Sequence, residues 1–191
     1  HEAVSALKLM TAEYRAIPFT GRQTDVDGLW EWLHDPAPVS FRTVVGRGGS
    51  GKTRLAIELL ERLERESPGV WHAGFLPKHR ATGALNNDHF RRWRERRPTL
   101  VIIDYAASCA EDLANNVVPE PQETDSLWPM RFLLLERGAD LDQGWYAMVR
   151  RAAGTDAPGL FPVEPQPMTL LGPDQRVRLF HDSLSALDDY R

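Results

Sequence analysis

Apolar runs alternate with helical patterns along most of the chain. Continuous runs rich in Val, Ile, Leu and Phe predict strands at 41–45, 70–76, 100–103, 130–137 and 168–171. Apolar residues at helical spacing predict helices at 24–33, 52–66, 86–97, 110–118 and 141–152, and a further helix starting at 172–174. Strands that alternate with helices form a parallel sheet with helices on both faces. The pattern therefore predicts an α/β fold of three layers around a five-stranded, mainly parallel sheet.

Apolar stripes indicate which faces of the helices are buried. In the helix at 52–66 the stripe consists of Leu55, Leu59, Leu60 and Leu63. The last helix carries a similar stripe, made of Val177, Phe180, Leu184 and Leu187. A weak helical pattern covers 4–14, the polar segment 119–126 is typical of a surface loop, and the proline-rich segment 154–167 predicts an irregular crossing.

A glycine-rich segment directly after the first predicted strand carries the strongest chemical signal. Its residues match G-x-x-x-x-G-K-[ST] at every fixed position, and they are Gly46, Arg47, Gly48, Gly49, Ser50, Gly51, Lys52 and Thr53. Backbone N–H groups of such a loop and the following helix N-terminus bind phosphates. Lys52 would then contact the β- and γ-phosphates, and the Thr53 hydroxyl would bind Mg²⁺. A glycine-rich turn with an incidental lysine is the alternative, and the strand before and helix after the loop argue against it.

Two further strand ends carry residues suited to the same chemistry. Asp104 follows a buried strand, where its carboxylate can bind Mg²⁺ or simply end the strand. Arg137 ends the fourth strand and can read a γ-phosphate through paired hydrogen bonds, or form a salt bridge to Glu136 or Asp140. Carboxyl ends of parallel strands meet at one edge of a sheet. The sequence therefore predicts that Gly46, Asp104 and Arg137 converge there.

The residue after Asp104 bears on hydrolysis. Many hydrolysing P-loop enzymes carry a second carboxylate at this position to activate water, but here it is Tyr105. Glu111, Asp112 and Glu136 are possible substitutes, and their spacing selects none of them. We expect a slow ATPase at best.

Composition limits the class of protein. With 191 residues, of which 42% are hydrophobic and 26% charged, the chain suits one α/β domain with a short appendage. A net charge of −4 argues against a dedicated nucleic-acid binder. Cys109 is the only cysteine, which excludes a disulfide framework and favours a cytoplasmic location. No apolar run is long enough for a membrane span. Because the chain starts His-Glu-Ala, we expect a fragment of a larger multidomain protein.

The predicted helix at 86–97 is rich in arginine and contains Trp93. Arginines could bind nucleic-acid phosphates while the indole stacks on a base. A solvated helix with Phe90 and Trp93 packed inward is the favoured interpretation, and a contact between protomers is a third.

Four motifs together resemble the signal-transduction (STAND) NTPases, whose NACHT and NB-ARC members belong to the AAA-related P-loop ATPases. Phe19, Thr20, Gly21 and Arg22 resemble the family's aromatic-x-Gly-Arg motif. The 46–53 loop, followed by Leu55 and Ala56, is similar to its phosphate loop. Segment 100–106 resembles the Asp-Tyr-Ala variant found in bacterial members, and 131–137 resembles its arginine-terminated sensor strand. The likeness spans about 17–190.

The resemblance implies a site, cofactors and partners. ATP or ADP would bind with Mg²⁺, and segment 17–22 would lie beside the adenine and ribose. The implied nucleotide-binding residues are Phe19, Gly21, Arg22, Gly46, Arg47, Gly48, Gly49, Ser50, Gly51, Lys52, Thr53 and Arg54. Lys52, Asp104 and Arg137 would be catalytic, and Thr53 and Asp104 would hold the metal. Residues 1–171 would form the nucleotide-binding domain and 172–191 the start of a helical lid.

The resemblance also implies a switch. ADP would hold a closed monomer, and ATP would open it to form a homo-oligomer that activates a fused effector. Effector and sensor domains would lie outside this chain, and the family's Gly-x-Pro lid motif and winged-helix histidine are not found in it. An actively hydrolysing ATPase or a small-molecule kinase is the alternative. A motor normally carries the second acid, and a kinase needs an acceptor pocket and an arginine-rich lid.

Overall fold

The computed structural model describes residues 19–77, 96–118 and 128–188. The weak helix at 4–14, most of the predicted helix at 86–97 and the loop at 119–126 lie outside the described residues. The described elements, in chain order, are α1 Gln23–Leu33, β1 Val39–Val45, α2 Lys52–Glu66, β2 His72–Phe75, β3 Thr99–Asp104, α3 Ala110–Asp112, β4 Met130–Glu136, α4 Gly144–Ala152, α5 Ala157–Leu160, β5 Gln166–Pro167 and α6 Pro173–Asp188.

The five strands form one sheet in the order β2-β3-β4-β1-β5, and every pair of neighbours is parallel. The predicted five-stranded sheet is confirmed. Asp104 at the end of β3 pairs with Leu135, and Val45 at the end of β1 pairs with Glu136. The carboxyl ends of β1, β3 and β4 therefore lie level with one another, which brings their terminal residues to one edge.

Both faces of the sheet are covered, which confirms the three layers. Alternate residues of β4 serve the two sides: Phe132 and Leu134 join one buried cluster, and Leu133 and Leu135 join the other. The first cluster includes side chains of α3, α4 and α5, and the second includes those of α1 and α2. Each fully buried aliphatic side chain stabilises the fold by about 1.5–3 kcal/mol. Two buried faces explain why β4 is a continuous apolar run rather than an alternating one.

The fifth strand was predicted wrongly at 168–171. It lies at Gln166–Pro167, where these residues pair with Val44 and Val45 of β1. Met168 is buried beyond the strand, and its N–H donates to the Val45 carbonyl at 2.6 Å. Leu170 is 60% exposed. The apolar residues of 168–171 thus do not pair as a strand. Met168 is buried in the core, and Leu170 and Leu171 line the cavity of the candidate site. Pro167 is tolerated because an edge strand can do without one N–H donor.

Other boundaries differ in smaller ways. The predicted helix at 110–118 starts earlier, with a 3₁₀ turn at Ala106–Cys109, and ends in a π-helical turn at Leu113–Val117. Segment 154–167 is not irregular throughout, since it holds a 3₁₀ turn at Gly154–Asp156 and α5. The predicted helices at 24–33 and 52–66 correspond to α1 and α2 within one residue.

Two residues of the apolar stripe predicted for the last helix are exposed. Val177 and Phe180 on α6 are 56% and 62% exposed. The division of the chain after residue 171 therefore stays a prediction. None of the described helices is both long enough and apolar enough to cross a membrane.

A buried arginine at the start of β4 fastens the far end of the sheet. Arg131 is 0% exposed, and its guanidinium donates to the carbonyl oxygens of Trp32 at 3.2 Å and Ala37 at 2.8 Å. It also donates to the carbonyls of Asp35 and of Met130. Burial lowers the pKa of Arg131, and the nearby Asp35 carboxylate opposes that effect. One side chain thus satisfies the backbone where α1 ends and the chain turns toward β1.

Cys109 is expected to resist thiol reagents in the folded protein. Its side chain is 3% exposed and contacts the Ala106 carbonyl, and burial raises the pKa of the thiol to about 11. The reactive thiolate is therefore about 100-fold scarcer at pH 8 than for a cysteine with its ordinary pKa near 9. A disulfide-exchange dye should label the protein only in denaturant. Rapid labelling without denaturant would contradict the buried position.

Candidate functional site

The 46–53 loop turns directly from β1 into α2. Gly51 lies in the left-handed region at φ +94°, which an L side chain rarely adopts, and α2 begins at the next residue. The Ser50 N–H donates to the Arg47 carbonyl at 3.1 Å, which closes the turn. The first N–H groups of α2 have no intrahelical acceptor. The loop therefore places an anion-binding helix terminus at the carboxyl edge of the sheet.

Gly46 is needed because the backbone of the segment after β5 passes close by. A Cβ on Gly46 would lie 2.8 Å from the Met168 carbonyl oxygen and 2.8 Å from Ser50 Oγ. Both distances are shorter than real Cβ contacts, and the Met168 oxygen cannot swing aside as a flexible side chain would. Gly46 therefore contributes close packing, whereas no such contact restricts Gly48.

This contrast gives a prediction for two alanine substitutions. Gly46→Ala is expected to lower the free energy of unfolding by about 1–3 kcal/mol, because overpacking displaces the segment after β5. Gly48→Ala meets nothing within 4 Å and serves as the matched control, with an effect within about 1 kcal/mol. Urea unfolding without nucleotide measures both. Equal stability of the two variants would contradict the close packing at Gly46.

The side chains of Lys52, Thr53 and Asp104 meet beside the loop. Lys52 Nζ donates to the carbonyl oxygens of Gly46 at 2.7 Å and Arg47 at 3.3 Å. Thr53 Oγ1 donates to Asp104 Oδ2 at 3.1 Å, although 51 positions separate the two residues. Asp104 Oδ1 accepts from the Tyr105 N–H at 3.0 Å. The two oxygens proposed for the metal thus lie side by side, and the predicted convergence of loop and strand is present.

Arg137 reaches the same edge from the end of β4. Its side chain is exposed and borders the cavity, and its guanidinium has no hydrogen bond or ion pair with any residue that the structure describes. The salt bridges to Glu136 or Asp140 considered above are therefore not formed. Its N–H donates to Glu136 Oε1 at 2.7 Å. The guanidinium is thus available to a ligand.

Tyr105 stands out in its backbone conformation. Its φ of +61° places it in the left-handed region, and no other non-glycine among the described residues does so. Its carbonyl accepts from the N–H and the hydroxyl of Ser108 at 2.9 Å and 2.8 Å. These bonds hold a tight turn between β3 and the helical segment that follows it. A strained residue held at a cavity edge is typical of functional sites.

The 19–22 motif braces the loop and contacts α6. The Arg22 guanidinium donates to the carbonyls of Ser50 at 3.0 Å and Thr169 at 2.5 Å, and pairs with Asp25 at 3.5 Å. The Phe19 ring lies 5.7 Å from the Arg54 guanidinium carbon. The Gly21 carbonyl accepts from Gln175 Nε2 at 3.3 Å. Arg22 is thus engaged with protein groups that tie the loop to the segment after β5.

The 19–22 motif, the 46–53 loop and the ends of β3 and β4 line one cavity of about 590 Å³. This volume is typical of small-molecule sites. Most predicted site residues line it: Phe19, Arg22, Gly48, Gly49, Ser50, Gly51, Lys52, Thr53, Arg54, Asp104 and Arg137. Gly21, Gly46 and Arg47 are not among its lining residues. The wall also contains Thr20, Tyr105, Leu135, Glu136, Leu170, Leu171, Arg176 and Leu179. Thr20 belongs to the 17–22 segment that the resemblance placed beside the adenine and ribose, and Glu136 was one of three possible substitutes for the missing acid. The last four come from α6 and the segment before it, which only the family resemblance pointed to.

Two hydroxyls of the cavity-lining residues lack a hydrogen-bond partner. In the described part of the chain, Thr20 Oγ1 and Ser50 Oγ are buried without one. Buried polar groups are normally satisfied, so such atoms call for an explanation. Arg54 Nη1 also makes no hydrogen bond, but it forms an ion pair with Glu61 Oε1 at 3.9 Å. The two hydroxyls, on residues that border one cavity, are consistent with a polar ligand there.

Comparison with known proteins shows likeness only at the level of structure. No family model matches the sequence, and no curated protein matches it. The chain resembles the Aeropyrum pernix Orc1 protein, solved in complex with DNA, with a TM-score of 0.57 and 14% identity over 88% of this chain and 50% of that one. It also resembles domain III of the Thermotoga maritima replication initiation protein DnaA, with a TM-score of 0.57 and 13% identity over 88% of this chain and 71% of that one. This chain thus spans half the length of the Orc1 chain.

Both similar structures are AAA+ P-loop ATPases. The TM-scores of 0.57, each over 88% of this chain, show a likeness of fold. The chain therefore has the three-layer α/β fold of the P-loop NTPases.

Proposed function

We propose that this chain is an ATP- or ADP-binding regulatory NTPase module of a STAND-type signalling or defence protein. The hydrogen bond between Thr53 and Asp104 carries the nucleotide part of the proposal. It joins the two residue types that bind magnesium in P-loop proteins, and both line the cavity that Lys52 and Arg137 also line. The unpartnered hydroxyls of Thr20 and Ser50 support a polar ligand.

The residues suit magnesium carried with a nucleotide. Mg²⁺ prefers oxygen ligands in an octahedron and usually takes only one or two from the protein. Thr53 Oγ1 and Asp104 Oδ2 supply two, and phosphate oxygens and water would supply the others. Lys52 would exchange its bonds to loop carbonyls for bonds to phosphate oxygens. The bound metal would neutralise phosphate charge.

The regulatory part of the proposal rests on the sequence resemblance and on Tyr105. A tyrosine at this position provides no carboxylate to activate water, which favours holding a nucleotide over rapid turnover. Contacts between Gln175 of α6 and Gly21 link the predicted lid to the nucleotide site. In this proposal the nucleotide state sets that arrangement and thereby oligomerisation of a cytoplasmic multidomain protein, with effector and sensor domains outside this chain.

The decisive experiment identifies the nucleotide and follows its fate. The purified chain should carry ADP or ATP, or bind either with magnesium, and release phosphate well below one turnover per second. Light scattering with ADP and with an ATP analogue tests oligomerisation, on this chain and on any longer protein that contains it. Failure to bind nucleotide would overturn the proposal, and rapid multiple turnover would overturn its regulatory part.

Arg137 is expected to discriminate between ATP and ADP. If its guanidinium binds the γ-phosphate, Arg137→Ala should weaken ATP binding by about 10- to 150-fold, since hydrogen bonds to charged groups contribute about 1.5–3 kcal/mol. ADP affinity should change less than about threefold. Calorimetric titration with ADP and a non-hydrolysable ATP analogue measures the difference. An equal loss for both nucleotides would contradict a γ-phosphate sensor.

A further inference from the structure

Glu136 connects three parts of the site. Its carbonyl accepts from the Gly46 N–H at 3.1 Å, at the start of the 46–53 loop. Its carboxylate accepts from the Ala107 N–H at 3.1 Å through Oε2 and from the Arg137 N–H at 2.7 Å through Oε1. The last residue of β4 is thus bonded to the loop, to the turn after β3 and to the residue that follows it.

The position of this carboxylate matters because of Tyr105. The bond to Ala107 holds the carboxylate of Glu136 against the Tyr105 turn, which is where a second acid would stand in many hydrolysing P-loop enzymes. The strand register supports this position. Asp104 pairs with Leu135, so Tyr105 and Glu136, which follow them, lie at the same level of the sheet. A neighbouring strand therefore brings a carboxylate to the turn that lacks one of its own.

The structure also distinguishes Glu111, Asp112 and Glu136, between which their spacing in the sequence could not select. Glu136 lines the 590 Å³ cavity together with Lys52, Asp104 and Arg137. Glu111 and Asp112 belong to the helical segment packed on the sheet and are not among the lining residues. Asp104 is hydrogen-bonded to Thr53, with which it is proposed to hold the metal. Among the described residues that line the cavity, Glu136 is thus the carboxylate that is not assigned to the metal together with Thr53.

We propose that Glu136 is the general base of the slow hydrolysis. This rests on the proposed function, because it requires ATP in the cavity. The oxygen of a water molecule bonds to the γ-phosphorus, and the bond from that phosphorus to the β–γ bridging oxygen breaks. The Glu136 carboxylate takes a proton from the water, and ADP and inorganic phosphate leave. An ionised carboxylate has about four acceptor positions, so the bonds to two N–H groups leave room for a water.

The test separates proton transfer from support of the fold. Single-turnover hydrolysis of ATP, with protein in excess, is followed at one pH near neutrality for the wild type, Glu136→Gln and Asp112→Asn. Asp112→Asn is the matched control, since it removes the same charge near the same turn but outside the cavity wall. ATP affinity and thermal unfolding are measured in parallel. Glu136→Asp keeps a carboxylate and reports on the role even if the glutamine variant folds poorly.

General-base catalysis contributes about 10²- to 10⁴-fold. We expect Glu136→Gln to hydrolyse bound ATP at least about 100-fold more slowly and to keep its ATP affinity within about threefold. Asp112→Asn should match the wild type, and Glu136→Asp, which keeps a carboxylate, should recover part of the lost rate. Hydrolysis by Glu136→Gln at the wild-type rate, a Glu136→Asp rate as low as that of Glu136→Gln, or a wild type that binds ATP without hydrolysing it would each overturn the inference. A wild type that does not bind ATP would instead defeat the proposed function.

Discussion

Replacing Lys52 with alanine is expected to lower the affinity for both ATP and ADP by at least about 100-fold, which corresponds to about 2.7 kcal/mol. The lysine lies at the first position of α2 and borders the cavity, with its ammonium group 2.7 Å from the Gly46 carbonyl oxygen. The alanine variant loses the ammonium group that would contact the β- and γ-phosphates. Calorimetric titration in the presence of Mg²⁺ measures the loss.

Folding should be little affected by this change. Lys52 is half-buried, and among the described residues it donates only to the carbonyls of Gly46 and Arg47. We therefore expect a change in unfolding free energy within about 1 kcal/mol. Arg65→Ala is a matched control, because it removes one positive charge from the same helix at a side chain that is 63% exposed. Normal ATP binding by Lys52→Ala, or equal losses in the two variants, would contradict the assignment of the site.

The parts of the fold that sequence predicted well are those in which one local rule decides the structure. Strands buried on both faces must be continuous apolar runs, so β3 and β4 could be read directly. A loop that binds phosphate needs small residues at fixed positions between a strand and a helix, so the 46–53 loop and α2 could also be located. The parallel sheet then followed from the alternation of elements.

The errors occurred where contacts distant in sequence decide the structure. β5 is two residues long, and its place depends on pairing with Val44 and Val45 of β1 rather than on its own letters. Met168 looked like a strand residue because it is apolar, but it is buried beside Gly46 and Gly51. Likewise, the stripe on α6 was apolar in sequence, yet Phe180 is largely exposed in the described part of the chain.

The candidate site divides in the same way. Lys52, Thr53 and Asp104 were identifiable because each follows a local motif. Glu136 was one of three equal candidates until the register between β3 and β4 placed it beside the Tyr105 turn. Thr20 belongs to the 19–22 motif, but its unpartnered hydroxyl is visible only after the neighbouring groups are placed.

Arg131 is the clearest residue whose role sequence could not show. In the sequence, Arg131 was noted only as the start of the segment that resembles a sensor strand. In the structure it is completely buried, near the end of β4 opposite to Arg137. Its guanidinium serves carbonyls of residues more than 90 positions away, including Trp32 and Ala37. An arginine is rarely buried unless paired or hydrogen-bonded, so no composition rule would predict it inside the core.

Arg131→Met is expected to lower the free energy of unfolding by about 3–5 kcal/mol. Methionine fills much of the space but donates no hydrogen bond, so the carbonyls of Trp32, Asp35 and Ala37 would each lose a donor. An unsatisfied buried acceptor costs about 1–3 kcal/mol, and relaxation with entering water reduces the sum. For a domain of this size the melting temperature should fall by roughly 6–20 °C.

Two further variants show whether the hydrogen bonds or the charge are responsible. Arg131→Lys keeps the charge but has three donors in place of five and no planar fork, so it should recover only part of the lost stability. Arg178→Met removes an exposed arginine from α6 and should change the melting temperature by less than about 2 °C.

Because Arg131 lies away from the cavity, Arg131→Met should still bind nucleotide below its melting temperature. If Arg131→Met were as stable as the wild type, the carbonyls at the end of α1 would not depend on this guanidinium. If it folded normally but failed to bind nucleotide, Arg131 would act in the site rather than in the support of α1.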